Sequence, residues 1–320
     1  MPGVVNDPHN LSLRRAIFDL GKSRLCGEVQ RRSLPLKLRD DDPAIGRFFP
    51  GTCFVQTLAN DNLVLQFSGS GYAFTNLTRR LSFDASGTVE FDTDFLMDDA
   101  TMYVYFRQKS TSASTFKVKL VEHPESLSAM GVSLGGVDAG MANALGAQIL
   151  KGEIARGFTV IRSPRGDVEF GLGVVEKGQH PAVPYRVPEG RLLLANDRAE
   201  VHQDQRDFLG PFEVPDGAKM HLDLAVDGAP AVDVLVVARG VGEIWLQTYT
   251  TQAATTPPPS AALLDEAVLA GAPFRRELPL SAGLYYVVLD NTATAGRTAP
   301  PSYAHDDRAA LVSYALTLDE

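Results

Sequence analysis

Short runs in which apolar and polar residues alternate, divided by clusters of turn formers, recur along most of this chain. A period of two places alternate side chains on opposite faces of a strand, whereas a helix needs apolar residues three and four apart. The 28 glycines and 20 prolines among 320 residues act in the same direction, since both punctuate strands and break helices. A chain so patterned is constrained to a mainly β fold with few helices. It has no heptad run, and two cysteines are too few for a disulfide scaffold. With 44% apolar and 22% charged residues it can bury a core, which excludes disorder of the chain as a whole. The length suits two domains.

Residues 1–52 read as a basic helical and irregular N-terminal segment. Its first eight residues look like an extended tether, and Leu13, Ile17, Leu20 and Leu25 then fall at near-helical spacing. Residues 53–200 read as an α+β domain built on a β-meander. Its short strands are Phe54–Leu58, Leu63–Ser68, Arg80–Phe83, Thr88–Phe91, Met102–Arg107 and Thr115–Glu122. Turn chemistry separates them at Asn60-Asp61-Asn62, Ser68-Gly69-Ser70-Gly71 and Asp84-Ala85-Ser86-Gly87. Val137, Met141, Leu145 and Ile149 step by four in a Gly/Ala-rich stretch, predicting a helix packed on the meander. Small residues one turn apart over 131–146 would also let a second copy approach closely, as in a self-assembling structural protein.

Residues 208–320 read as β throughout. Leu222, Leu224 and Val226 alternate with Asp223, Ala225 and Asp227, while Val232–Ala238 and Leu284–Leu289 are apolar on both faces, as central strands are. Ile244–Tyr249 reads as a further strand, and Val312, Tyr314, Leu316 and Leu318 share one face of the last. The number and spacing of these strands predict a β-sandwich or jelly roll. The run Leu278-Pro279-Leu280-Ser281-Ala282-Gly283-Leu284-Tyr285-Tyr286-Val287-Val288-Leu289-Asp290-Asn291 resembles a strand of extracytoplasmic jelly-roll modules, the pre-peptidase C-terminal and GOLD-like domains. The resemblance covers those residues alone. It implies a small sandwich used for binding or as an accessory, and it supplies no catalytic residue.

A net charge of −9 disfavours nucleic acid as a partner, because phosphate binding needs a basic surface. Residues 1–40 nevertheless carry eight basic against four acidic residues. Such an arm can contact an anionic membrane surface peripherally or pack on the acidic body of its own chain. No apolar stretch reaches the ~20 residues of a membrane span. Arg14 and Arg15 interrupt any signal-like run, so the chain is either cytoplasmic or a cell-envelope protein whose leader is not in this sequence. Cys26 and Cys53 lie close together, with no cysteine after them. A disulfide would staple a proline-rich loop and place the protein in the periplasm or outside the cell; two buried thiols are the alternative.

No nucleophile elbow, phosphate loop, dinucleotide fingerprint or zinc-ligand spacing occurs. Three constellations remain. Glu200, His202 and Asp204 share a face if extended, close enough for acid–base work or metal ligation; a solvated linker is the plainer reading. Asp290, Asp306 and Asp307 lie at strand ends, where their oxygens would suit a structural Ca²⁺, or simply turns. Trp245, Gln247 and Tyr249 on one strand face would suit stacking on a sugar ring or a protein partner, unless Trp245 is core. The leading expectation is a non-enzymatic binding or scaffolding protein of a bacterial cell envelope, with a carbohydrate or protein ligand. A hydrolase with a site between the domains and a self-assembling structural protein are the alternatives.

Overall fold

The computed structural model describes residues 2–7, 9–10, 12–13, 15–16, 25–27, 29–39, 41–59, 61–76, 78–123, 157–162, 168–178, 183–300 and 309–319. The chain is mainly β, as the alternation predicts. A short helix α1 (Pro2–Val5) opens it. Asn6 then exchanges two 2.7 Å hydrogen bonds with the Met97 backbone, so the start of the chain is docked rather than a tether.

Seven antiparallel strands follow in meander order: β1 (Leu34–Leu36), β2 (Gly46–Thr57), β3 (Leu63–Thr75), β4 (Arg79–Asp98), β5 (Thr101–Val121), β6 (Phe158–Arg162) and β7 (Val168–Leu172). They curl into a half-barrel. The central strands are much longer than their sequence suggests. Ser68–Gly71 and Asp84–Gly87, which carry turn chemistry, run straight through β3 and β4. The glycines are there for room. A Cβ on Gly69 would sit 2.7 Å from the Phe48 ring, and one on Gly71 would sit 2.9 Å from the Phe83 ring. Phe48 and Phe83 therefore lie stacked over bare backbone. The Gly/Ala-rich helix expected over 127–156, with its 131–146 small-residue face, lies outside the described residues.

The remaining strands form two four-stranded antiparallel sheets. β8 (Arg191–Val201), β10 (Lys219–Asp227), β13 (Phe274–Pro279) and β15 (Ala310–Asp319) make one, in the order β13-β10-β15-β8. β9 (Gln205–Val214), β11 (Ala231–Ala238), β12 (Leu264–Leu269) and β14 (Gly283–Asn291) make the other, in the order β12-β11-β14-β9. These eight strands distribute between the sheets as in a jelly roll. Residues 191–201, read with the meander, pair along β15 and belong to this sandwich. Its core takes Leu222, Leu224, Val226, Val234, Val236, Val287, Leu289, Val312, Tyr314, Leu316 and Leu318, all buried. β11 and β14 are apolar on both faces because the outer face is covered too, by helix α2 (Arg239–Thr251).

Candidate functional site

The curled sheet packs one face of its β2–β4 end against the sandwich and α2, and several buried ionisable groups of the described residues meet there. Arg47 on β2 and Asp207 on β9 form a buried pair, with Nε 2.8 and 2.9 Å from the two carboxylate oxygens. Tyr72 on β3 donates its hydroxyl to the same carboxylate at 2.8 Å and accepts the Phe208 amide at 2.7 Å, while Arg47 also donates to the Tyr314 hydroxyl. Burial alone would lower the Arg47 pKa; Asp207, Tyr314 and Tyr72 beside it together outweigh that and hold it well above the ordinary value. Arg80 on β4, wholly buried, lies over the Tyr249 ring and donates to the carbonyls of Gln252 and Ala253 just past the end of α2.

Glu200 and His202 sit at the same junction. The His202 ring stacks on Phe74 of β3, with centroids 3.4 Å apart, and its Nε2 lies 2.6 Å from Glu200 Oε1. That hydrogen bond keeps the Glu200 carboxyl below its ordinary pKa. Period-two alternation thus brings two of the three expected residues together. Asp204 leaves the pattern, because the β8–β9 hairpin turns at it with φ of 62° and its amide bonds the Asn291 carbonyl. His202 is 4% exposed and held between the two halves of the molecule, while the Glu200 carboxyl is partly open to solvent.

Trp245, Gln247 and Tyr249 do not form a strand face. Residues 239–251 are helical, and in a helix the i, i+4 residues Trp245 and Tyr249 share one side while Gln247 points away. Trp245 and Tyr249 are buried against Phe208, Tyr286 and Val288 of the sheet beneath, and Gln247 is exposed. The β-branched and aromatic residues of this segment look strand-like, and packing on the sheet decides otherwise. Gly242 makes the close approach: a Cβ there would fall 2.3 Å from the Tyr286 ring.

Asp290 is also internal. It faces Arg206 as an ion pair at 2.9 Å and accepts the amide and hydroxyl of Thr292. Burial raises its pKa to about 6, against the pull of Arg206 and Thr292. Arg206 in turn lies over Trp245 and donates to Thr256, Thr292 and Thr294. Asp306 and Asp307 lie outside the described residues, among which no three His, Cys, Asp or Glu side chains gather as a metal site.

Cys26 and Cys53 are joined in a disulfide that ties the N-terminal segment to β2. The basic arm meets carboxylates of its own chain, through Arg15–Asp61 at 2.8 Å, Arg31–Glu213 at 4.0 Å and Lys37–Asp197 at 2.6 Å. No helix among the described residues is long and apolar enough to cross a membrane.

Beyond the sandwich contact, the same face of the curled sheet is open. Thr52, Ser68, Ser86 and Thr115 stand opposite one another on β2, β3, β4 and β5, a single row of hydroxyls across four strands. They bond in pairs, Thr52 to Ser68 and Ser86 to Thr115, each at 2.6 Å. The next row is Phe54, Gln66, Thr88 and Ser112, with Phe54 58% exposed. Sequence reading misses these rows because it places turns at two of their members. The signal is nonetheless present, in polar residues at alternate positions such as Gln66, Ser68 and Ser70 or Ser86, Thr88 and Glu90. No protein-family model matches this chain, and no curated protein does either, so its own residues carry the functional reading.

Proposed function

We propose that the chain is a non-enzymatic binding or scaffolding protein of a cell envelope. The observation that carries this reading is the junction. Glu200, His202, Arg47, Asp207 and Arg80 are engaged with one another, with backbone carbonyls or with aromatic rings, between two sheets that they hold together. Buried groups so placed fix a shape, and of the five only Glu200 reaches solvent in part. The Cys26–Cys53 bond agrees with an oxidising compartment. The alternative of a hydrolase using Glu200 and His202 has a hydrogen-bonded pair with a partly exposed carboxyl in its favour, but the His202 ring is buried under Phe74.

The test is the mass of the protein from its native source, with and without reduction and thiol labelling, in separated cytoplasmic and envelope fractions. An envelope protein with both cysteines oxidised supports the reading. Two free thiols in the cytoplasmic fraction overturn it. In parallel, Glu200→Gln and His202→Asn should leave any hydrolytic activity of the preparation unchanged; loss of an activity in both would favour the hydrolase.

A further inference from the structure

We infer that the open face of the curled sheet binds a neutral polysaccharide, with Phe54 as the stacking residue and the hydroxyl and amide rows as its hydrogen-bonding partners. This rests on the reading of the chain as an envelope binding protein and names its ligand class.

The composition of the face selects the occupant. The two rows hold hydroxyls, one amide and one aromatic ring, with no charged side chain, on a protein whose net charge is −9. Charges border the rows on either side: Asp84, paired with Lys119 at 3.3 Å and with Lys117 opposite it on β5, and Glu90, paired with Lys109 at 3.1 Å. The face between is electrically neutral. A phosphate or sulfate polymer would find no cation in it. Protein interfaces concentrate aromatic, Met and Arg side chains and are poor in serine, the reverse of these rows. A sugar is the chemical match. Its hydroxyls both donate and accept, as do the Ser and Thr hydroxyls and the Gln66 amide. Its C–H face is apolar and suits an aromatic ring that the fold leaves in solvent.

The geometry suits a chain of sugars. Strands lie ~4.8 Å apart and alternate residues on a strand ~6.7 Å, so the two rows span roughly 14 by 7 Å of continuous surface. Phe54 stands at one border, because β1 covers only Gly46–Phe48 of β2 and leaves the rest of that strand at the sheet edge. The opposite face of the sheet is apolar, with Phe67, Val89 and Phe91 packed beneath the rows, so the platform is backed by core. The end of α2 borders it, since Ser82, one step beyond Asp84 on the same face, donates to the Thr250 carbonyl.

The experiment is affinity electrophoresis of the oxidised, full-length protein in gels containing hydroxyethyl cellulose, glycol chitin or mannan, with polygalacturonate as an acidic control. Retardation by at least one neutral polymer is expected, weakened about tenfold or more by Phe54→Ala, as for loss of a buried aromatic contact. Gln66→Ala should weaken it further, and Leu269→Ala, an exposed apolar residue on β12, should leave it unchanged. Phe54 is exposed, so its variant keeps the fold, checked by the emission of buried Trp245. The inference is overturned by no retardation in any neutral gel, by retardation that survives Phe54→Ala, or by retardation in polygalacturonate alone. An exported, oxidised protein that ignores all three polymers removes only the glycan assignment. A cytoplasmic protein with free thiols removes the broader reading whatever the gels show.

Discussion

The Arg47–Asp207 pair offers the sharpest test of how the two halves are joined. Arg47 is 3% exposed and Asp207 5%, and they come from β2 of the curled sheet and β9 of the sandwich. Replacing Asp207 with Ala leaves the guanidinium buried without its carboxylate and deprives the Tyr72 hydroxyl of its acceptor. Breaking one side of a buried pair costs about 3–5 kcal/mol, a large share of the ~5–15 kcal/mol available to a typical domain. The double variant Arg47→Met/Asp207→Ala removes both charges and should cost no more than Asp207→Ala alone, a coupling of about 3 kcal/mol. Urea unfolding followed by Trp245 fluorescence and by far-ultraviolet circular dichroism reads both quantities. Trp245 is the only tryptophan and reports on the sandwich side, whereas dichroism reports on both sheets. The two probes should coincide in the unaltered protein and in each variant, so that each transition yields one two-state free energy. A cost under about 1 kcal/mol for Asp207→Ala would refute the reasoning. So would a double variant whose cost equals the sum of the single ones.

Other outcomes follow from single contacts. Gly242→Ala should destabilise by about 1–3 kcal/mol, because its methyl group enters the Tyr286 ring, whereas Gly240→Ala in the same helix meets nothing within 4 Å and should stabilise by about 0.5–1 kcal/mol; thermal or urea unfolding separates them. Asp290 has a folded pKa raised from 3.8 to about 6, so the folded state holds its proton more firmly than the unfolded state, and this group's contribution to stability falls as pH rises from about 4 to 6. Carbon-13 NMR of the carboxyl should show it titrating near 6, and titration near 4 would remove the effect. Glu200 runs the other way: its lowered pKa adds stability above the unfolded value of 4.5 that is lost as pH falls through the folded value, and Glu200→Gln should remove that acid-side loss in pH-dependent unfolding. Removing the disulfide by Cys26→Ser/Cys53→Ser should cost about 3.5 kcal/mol for a sequence separation of 27, measured as a lower unfolding free energy in urea, with the slope fitted for each protein because the freed unfolded chain exposes more surface.

Periodicity made the sandwich legible. Leu222, Leu224 and Val226 alternate and line its core, and the doubly apolar β11 and β14 are central strands. The same rule failed at Trp245. Over residues 244–249 the sequence alternates as a strand does, but α2 lies across a sheet, and the i, i+4 pair Trp245 and Tyr249 is what that surface receives. Turn chemistry misled at Gly69 and Gly71 for a different reason. A glycine that admits an aromatic ring from a neighbouring strand looks, in sequence, like a glycine that turns. The buried charges were not legible at all. Arg47 and Asp207 are 160 residues apart, and only the packing of one sheet against another makes them neighbours. Glu200 and His202 were legible as a pair because two residues apart on a strand is a local relation; Asp204 was not, because a hairpin intervenes.

The junction and the open face are consequences of one arrangement. β2, β3 and β4 carry both along the same face: Arg47, Tyr72 and Arg80 where the sandwich covers them, then Thr52, Ser68 and Ser86 where it does not. A bulky aromatic residue suits that face under the sandwich, where a partner covers it, and a charge buried there needs the partner it meets; beyond the contact the face is polar or charged and stays wetted. Phe54 breaks that rule, since it is a large apolar residue in the uncovered part. Its backbone, by contrast, is held firmly: Cys53 beside it is cross-linked to Cys26, and Gln30 donates to the nearby Gly51 carbonyl at 2.9 Å. Sheet edges are ordinarily protected by charge or irregularity. Here an edge is stapled, and the residue next to the staple presents an aromatic ring to solvent on an otherwise hydroxylated surface. A ring carried on an anchored backbone loses less conformational freedom on stacking than one on a loose loop, and that favours a binding platform.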